Sequence, residues 1–166
     1  MAELGRDGET QLVVFVLENE EFACNISDVR EVLKMVRVTP LPRSIDFVEG
    51  VINLRGEVIP VIDLRKRFNL DDVERTDDSR IIIVEVESRM VGLIVDSVSE
   101  VIRMVNENIQ DSPDQVAGRH TDLIMGVGKL GERLLIILNL GKILSTEEQI
   151  ALDDISDAGR QVVGDI

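Results

Sequence analysis

VEGVINLRGEVIPVIDL, residues 48–64, predicts a β-hairpin to which the rest of the chain can be aligned. β-branched residues crowd both arms, and the group NLRG at residues 53–56 separates them. Gly56 can supply a positive φ at the tip, which turns Arg55 toward solvent. Pro60 cannot donate to a ladder, so we expect an edge, a bulge or a corner there, as closed barrels have.

A second stretch repeats the plan of this hairpin. IMGVGKLGERLLIILNL, residues 124–140, aligns with it at an offset of 126 − 50 = 76. At that offset Gly50 falls on Gly126, and the pair Asp63-Leu64 falls on Asn139-Leu140. The hairpin is therefore predicted to occur twice.

An upstream repeat has an offset of 98 − 29 = 69, which places VVF at residues 13–15 on IIV at residues 82–84. The difference, 76 − 69 = 7, is length gained by the second copy in its polar segment 106–122. A unit of about 60 residues buries only a modest core alone. We therefore predict a single domain over residues 12–150 in which two copies, about 12–70 and 80–143, share one core. Residues 1–11 are expected to be disordered, and residues 151–166 to form an acidic tail.

The composition of the chain argues against nucleic acids and membranes as binding partners. The 166 residues carry a net charge of −14, from 32 acidic against 18 basic side chains, and the four aromatic residues are all Phe. An acidic surface repels phosphate backbones, and without Trp or Tyr there is little on which bases could stack. The same charge disfavours anionic membrane surfaces. Nucleic acid and direct membrane insertion are thus not expected.

The lack of a membrane-spanning run and of a signal peptide leaves the cytoplasm as the default location. No apolar run approaches the ~18–20 residues needed to span a bilayer, and MAELGRDGETQ lacks the basic and apolar regions of a signal peptide. Cys24 has no cysteine with which to pair, and its place in a predicted strand favours a small buried hydrophobic residue.

Local patterns predict the remaining elements. The first copy opens with strands at 12–17 and 21–26, followed by a short amphipathic helix from Asp28 to about Met35. The second copy opens with strands at 81–87 and 90–96, and Gly92 inside the second of these suggests a bulge or a close approach. Residues 97–105 fit either a capped helix or a strand. A loop at 106–121 and a helix at 145–153 complete the prediction.

No motif for catalysis, metal or cofactor binding is found. His120 and Cys24 cannot form a zinc site between them, and the chain has neither a phosphate-binding loop nor a nucleophile elbow. A carboxylate dyad with one Asp in each copy is the best enzymatic case, but Asp96-Ser97-Val98 lacks the glycine that such a loop needs, and its equivalent, Ser27-Asp28-Val29, is shifted by one residue. Acids converging at Asp63 and Asp96 in a closed pocket would instead favour an enzyme. The basic run Arg65-Lys66-Arg67 predicts a solvated turn or a docking spot for an acidic partner.

Four segments resemble the CheW family of bacterial chemotaxis coupling proteins in order and spacing. They are LVVFVLENEEFACNISDVREVL (12–33), FVEGVINLRGEVIPVIDLRKRF (47–68), VGLIVDSVSEV (91–101) and GVGKLGERLLIILNL (126–140). The resemblance covers about residues 11–150. It implies a mainly β fold of two five-stranded SH3-like β-barrels around a shared core, with short helices. It also implies a non-enzymatic adaptor that joins the helical hairpin of chemoreceptor tips to the regulatory domain of the histidine kinase CheA in membrane-associated arrays.

The resemblance also implies which residues contact the receptor or maintain coupling: Val29, Glu31, Arg55, Val98 and Val101. Gly50, Gly56 and Gly92 are the expected structural glycines of turns. Arg55 can either reach a carboxylate of the partner or brace the groove from within. The three valines can equally be core, and Glu31 a solvated charge. Val13, Phe15, Ile26 and Val38 are weaker candidates for contact with the kinase.

Two other hypotheses stay open. Because CheW-like domains also occur fused to the kinase and to receiver domains, the chain can be a regulatory module of a larger signalling protein. A ligand-binding barrel or a minor hydrolase is the alternative from another functional class.

Overall fold

Strands form most of the described chain. The structure is a computed structural model that describes residues 8–42, 46–71, 73–111 and 123–143. Its strands are β1 (Glu9–Leu17), β2 (Glu20–Asn25), β3 (Val29–Lys34), β4 (Val48–Leu54), β5 (Glu57–Asp63), β6 (Arg80–Val86), β7 (Arg89–Val95), β8 (Ser97–Val105), β9 (Ile109–Asp111), β10 (Ile124–Leu130) and β11 (Arg133–Leu138). A one-turn helix, α1 (Leu64–Arg67), follows β5, and 3-10 turns lie at Ile26–Asp28, Asn106–Asn108 and Leu140–Lys142.

The hairpin predicted at residues 48–64 forms as β4 and β5. Its two turn residues, Arg55 and Gly56, have φ angles of 51° and 87°. Two consecutive positive φ angles are typical of the type I′ turn, whose twist matches that of the flanking strands. The Asn53 side chain accepts a hydrogen bond from the Gly56 N–H (2.9 Å) and so satisfies a turn donor.

Two sheets exchange strands between the sequence copies. The six-stranded sheet has the order β8-β1-β2-β11-β10-β9, and the five-stranded sheet has the order β3-β6-β7-β5-β4. The hairpin β1–β2 of the first copy therefore joins strands of the second copy, and β6–β7 of the second copy joins strands of the first. Each exchanged hairpin is attached through a parallel pair, β2–β11 or β5–β7. Each sheet is thus built from strands of both sequence copies, and neither copy forms a sheet by itself.

Alternation along the exchanged strands supplies three apolar clusters. Leu12 and Val14 of β1 face the interior of the six-stranded sheet, and Ile81 and Ile83 of β6 face the interior of the five-stranded sheet. The residues that alternate with these along the strands, such as Val13 and Phe15 of β1, belong to a larger cluster that both sheets share. This arrangement confirms the predicted shared core, and the two sheets are those expected of paired SH3-like barrels.

The amphipathic helix predicted from Asp28 to Met35 is wrong, because this segment is β3. It pairs with β6, and its residues alternate between half-buried and exposed. Partners from the second copy thus override a helical spacing. Residues 97–105 form the strand β8, which was one of the two alternatives.

Three further boundaries differ from the prediction or lie beyond it. Residues 9–11, expected to be disordered, belong to β1. Part of the predicted loop at 106–121 forms a 3-10 turn and β9. The predicted helix at 145–153, the acidic tail and His120 lie outside the described residues.

Pro60 lies where neither neighbouring strand needs its missing N–H. It stands opposite Val51, whose own N–H and C=O bond to Thr39 on the outer side of β4 (2.9 and 2.8 Å). On the other side, the parallel ladder with β7 begins only at Val61. This position is a local edge within an interior strand, as the proline predicts.

Candidate interaction surface

Arg55 and Glu31 form an ion pair across the two ends of the five-stranded sheet. Arg55 lies at the β4–β5 tip and Glu31 on β3, the strand at the opposite end of the sheet order. The Arg55 Nη2 donates to the Glu31 Oε1, so the sheet must curl until its ends meet. This hydrogen bond raises the pKa of Arg55, which stays fully charged.

The second copy has a comparable glutamate–arginine pair with more hydrogen bonds, although the counterpart of Arg55 itself is Gly131 (55 + 76 = 131). Glu100 is the counterpart of Glu31, since 31 + 69 = 100, and it pairs with Arg133 at the start of β11 (3.0 Å). Arg133 also donates two hydrogen bonds to Glu21 (3.0 and 2.7 Å). The Arg133 side chain is 40% exposed, whereas that of Arg55 is 72% exposed and bonds to one carboxylate among the described residues. The geometry therefore gives Arg133 the stronger bracing role.

The five predicted coupling residues fall into two sets. Val29, Glu31 and Arg55 belong to the five-stranded sheet, and Val98 and Val101 lie on β8 of the six-stranded sheet. Val29 and Val98, which are counterparts at offset 69, are half-buried against the shared cluster. Val101 is 51% exposed. The structure thus presents Val101 and Arg55 to solvent and gives Val29 and Val98 a packing role.

Each edge strand region carries an exposed apolar stripe, and of the four valines concerned only Val101 was among the residues predicted from the sequence. Val32 and Val36 in and after β3 are exposed, and so are their counterparts Val101 and Val105 on β8. The offset of 69 relates both pairs: 32 + 69 = 101 and 36 + 69 = 105. Val32 was missed because a helical spacing placed it on a buried face. The strand that was one alternative for residues 97–105, applied to the equivalent residues 28–36 of the first copy, would have predicted an exposed Val32.

Of the three glycines expected in turns, only Gly56 lies in one. Gly50 is in β4 at a register shift, with φ of 147°, and a Cβ there would be 2.1 Å from the Thr39 carbonyl oxygen. Gly92 is inside β7, where a Cβ would be 2.9 Å from the Ile81 side chain. The β6–β7 register is unbroken, so Gly92 marks tight packing in the sheet interior rather than a bulge.

The basic run on α1 is neither a solvated turn nor a free docking spot. Arg65 is buried and donates two hydrogen bonds to Asp96 (2.8 and 2.6 Å). Lys66 pairs with Glu49 (2.6 Å), and the Arg67 guanidinium lies 5.1 Å from the centre of the Phe47 ring. The sign inversion in the sequence therefore serves intramolecular contacts.

Asp63 and Asp96 do not converge as a catalytic dyad. Asp63 is buried, caps α1 by accepting from the Arg65 N–H (2.9 Å), and pairs with Arg75 (2.8 Å). The Arg65 guanidinium lowers the pKa of Asp96, although partial burial opposes the effect. Each carboxylate is therefore paired with an arginine and not with the other carboxylate. Within the described ranges, no three Asp, Glu, His or Cys side chains are placed to hold a metal ion.

Two of the weaker kinase candidates are inaccessible. Val13 and Phe15 are buried in the shared cluster, while Ile26 and Val38 are half-buried. Cys24 is also fully buried, which confirms its predicted role as a core residue.

Two clefts lie apart from the Glu31–Arg55 pair. One, of about 550 Å³, is lined by Met35, Val36, Val38, Glu49, Lys66, Val73, Glu74, Arg75 and Ile94. The other, of about 360 Å³, is lined by Asn25, Ser27, Asp28, Glu87, Met125, Ile137, Leu138, Asn139, Leu140 and Gly141. Among the helices that the structure describes, none has the length and apolarity to cross a membrane.

Comparison with known proteins gives consistent matches over most of the chain. The family model of the CheW-like domain matches residues 11–148. The chemotaxis protein CheW of Klebsiella aerogenes is 36% identical over 152 residues, covering 90% of this chain and 92% of the relative, and that of Bacillus subtilis is 38% identical over 146 residues, covering 87% and 93%. The crystal structure of the scaffolding protein TtCheW from Thermoanaerobacter tengcongensis superposes with a TM-score of 0.79 at 41% identity, covering 84% of this chain and 94% of that one.

Proposed function

This chain belongs to the CheW-like domain family, and on that premise we propose that it is a chemotaxis scaffold that couples receptors to a kinase. Its receptor partner is the helical hairpin at the cytoplasmic tip of a chemoreceptor, and its kinase partner is the regulatory domain of CheA. The protein acts by binding and not by catalysis. It resides in the cytoplasm and is recruited to membrane-associated arrays.

The observation that supports this proposal best is that Arg55 lies at a fixed turn with most of its hydrogen-bond donors unused. Its backbone is held by a two-residue turn, so the position of the guanidinium is restricted before any partner arrives. A guanidinium has five N–H donors, and the pair with Glu31 uses only one of those in Arg55. The remaining donors are available to a carboxylate of the receptor helix, which an arginine can bind through two parallel bonds.

Both faces of the edge strand β3 offer contacts to an amphipathic helix. Val32 follows Glu31, so its exposed apolar side chain lies on the opposite face of β3 from Glu31, and Val36 is exposed just after the strand ends. A helix that lays apolar residues on a surface and a charged residue at its rim is a recurrent mode of recognition. Val101 and Val105 offer a similar stripe on β8, so both edge regions can contribute.

Co-sedimentation with receptor-containing membranes and CheA tests the proposal. We expect the wild-type chain to form a ternary pellet and to support receptor control of kinase activity. Arg55→Ala should weaken receptor co-sedimentation about tenfold, the loss of one charge-assisted contact, while the melting temperature stays nearly unchanged. Failure of the wild-type chain to pellet with both partners would contradict the proposal.

Arg133→Ala is the control, because it removes an ion pair of Glu100, the counterpart of Glu31, in the six-stranded sheet. We expect it to lower the melting temperature and to leave receptor binding intact. The charge swap Glu31→Arg with Arg55→Glu separates the two roles of Arg55. A swap that restores the internal pair but not coupling supports a partner contact, whereas full recovery of coupling would show that Arg55 is only a brace.

A further inference from the structure

The two copies differ in chemistry at one structurally equivalent position. Gly141 stands where the first copy has Arg65, since 65 + 76 = 141. The backbone around the two residues is equivalent: the Asp63 N–H donates to the Phe47 carbonyl, and the Asn139 N–H donates to the Leu123 carbonyl, both at 2.8 Å. The second copy therefore keeps the local fold but lacks the guanidinium.

In the first copy, that guanidinium fills the junction between α1 and the end of β7. It donates to both oxygens of Asp96 and to the Asp71 carbonyl (2.9 Å). Asp96 also accepts from the Glu18 N–H in the β1–β2 turn (2.9 Å). In the first copy, this junction therefore binds an arginine side chain.

In the second copy, the same junction is the cleft of about 360 Å³ beside Gly141. Its lining residues are counterparts of those around Arg65. Asn139 matches Asp63 (63 + 76 = 139), Ser27 matches Asp96 (96 − 69 = 27), and Glu87 matches Glu18 (18 + 69 = 87). The turns that hold Glu18 and Glu87 share a φ of 50° at these residues. The cleft therefore lies where the first copy holds Arg65, with Ser27 in place of Asp96 and with the carboxylate of Asp28 one residue further along the chain.

The chemistry of the lining favours a cation with an apolar stem. Asp28 and Glu87 carry the negative charge, and none of the lining residues is basic. Met125, Ile137 and Leu140 provide apolar walls on which methylene groups can pack. Among the described residues, no hydrogen bond or ion pair to the Asp28 carboxylate is found; Arg30, the nearest base, pairs with Glu85.

Burial raises the pKa of Asp28, and the charge of Arg30 opposes the effect only in part. A carboxylate that has lost water without gaining a donor is stabilised by an incoming guanidinium.

We propose that this cleft receives an arginine side chain from a partner protein. The contact goes beyond the proposed coupling surface, because neither Glu31 nor Arg55 lines the cleft. A guanidinium suits the cleft better than an ammonium because its five N–H donors can serve more than one of the two carboxylates and other acceptors that line the cleft.

The test is an NMR titration of the isotope-labelled full chain with the peptide acetyl-Gly-Arg-Gly-amide. We expect saturable shifts at the amides of Ser27, Asp28 and Gly141. A peptide with citrulline in place of arginine is the uncharged isostere and should give none. No saturable shift at these amides with the arginine peptide would overturn the proposal.

Two variants make the test specific. Gly141→Arg supplies the missing side chain from within. The φ of Gly141 is not positive, and a Cβ at this position would have only the Asn139 side chain within 4 Å, at 3.4 Å, so the substitution is compatible with the fold. It should abolish peptide binding. Asp28→Asn keeps the shape and should weaken binding about tenfold. Binding that is unchanged in Asp28→Asn, or tighter binding of free arginine than of the peptide, would contradict a protein-borne arginine.

Discussion

Arg65 and Asp96 face each other through two parallel hydrogen bonds, Nε to Oδ1 at 2.8 Å and Nη2 to Oδ2 at 2.6 Å. Arg65 belongs to the first copy and Asp96 to the second, so the contact joins the two copies. Arg65 is buried, and the Asp96 side chain is 28% exposed. A buried ion pair changes the free energy of unfolding little while both partners are present. Removing one partner lowers that free energy strongly, because the other charge is left unpaired.

Replacing Arg65 by Met should therefore lower the free energy of unfolding by about 2–3 kcal/mol, because Asp96 is left partly buried without a donor. Urea denaturation measures the change. Arg30→Met on β3 is the control, since both side chains of the Arg30–Glu85 pair are exposed, and it should cost less than about 1 kcal/mol. Equal losses in the two variants would contradict the bracing role of Arg65.

The pKa of Asp96 is lowered by Arg65, which predicts a dependence of stability on pH. A carboxyl group with a lowered pKa in the folded state stabilises that state above its unfolded pKa, about 3.9, and loses the contribution as the pH falls through the folded value. The gap in unfolding free energy between wild type and Asp96→Asn should thus be present at neutral pH and shrink below about pH 4. A gap that is constant from neutral to acid would show that the charge of Asp96 is unimportant.

Gly50 and Gly56 should respond differently to the same substitution. Gly50→Ala places a methyl group 2.1 Å from the Thr39 carbonyl oxygen, which must break the Thr39–Val51 bridge. We expect a loss of about 3 kcal/mol or more. Gly56→Ala meets no atom within 4 Å and should cost only about 1 kcal/mol for its positive φ. Thermal melts of both variants measure the contrast, and a larger loss for Gly56→Ala would refute it.

Burial raises the pKa of the Cys24 thiol to about 12, so the reactive thiolate is scarce at neutral pH. Iodoacetamide should leave the native chain unmodified and alkylate it rapidly in denaturant. Mass spectrometry distinguishes the two states. Alkylation of the native chain at the denatured rate would show that β2 opens far more readily than its packing implies.

Asp28 carries a raised pKa, so its ionised form destabilises the fold at neutral pH. Its contribution to stability is present at low pH and is lost as the pH rises through the folded pKa. Asp28→Asn should therefore raise the melting temperature at neutral pH, with the difference disappearing in acid. A lower melting temperature for this variant would mean that the carboxylate has a stabilising donor.

Several features of the fold followed from sequence because they depend on residues close together in the chain. The hairpin of residues 48–64 is specified by its β-branched arms and by Gly56. The offsets of 69 and 76 correctly relate the strands of the two copies, and β4 (Val48–Leu54) maps onto β10 (Ile124–Leu130) without a residue of error. Selection of Glu31 and Arg55 came from a family resemblance, and the structure places the two side chains in contact.

Other features depended on which strands pair with each other, and the sequence pattern contains little information about long-range strand pairing. Both copies have the same alternation of apolar residues, so β1–β2 could join either set of strands with little change in local pattern. Edge pairing with β6 made a strand of residues 29–34, where spacing alone favoured a helix. The open cleft beside Gly141 and the filled site at Arg65 likewise emerged only when the exchanged copies were placed together. Local backbone preference and periodicity are encoded over a few residues, whereas long-range partner choice is decided by the burial of a core that both copies must build jointly.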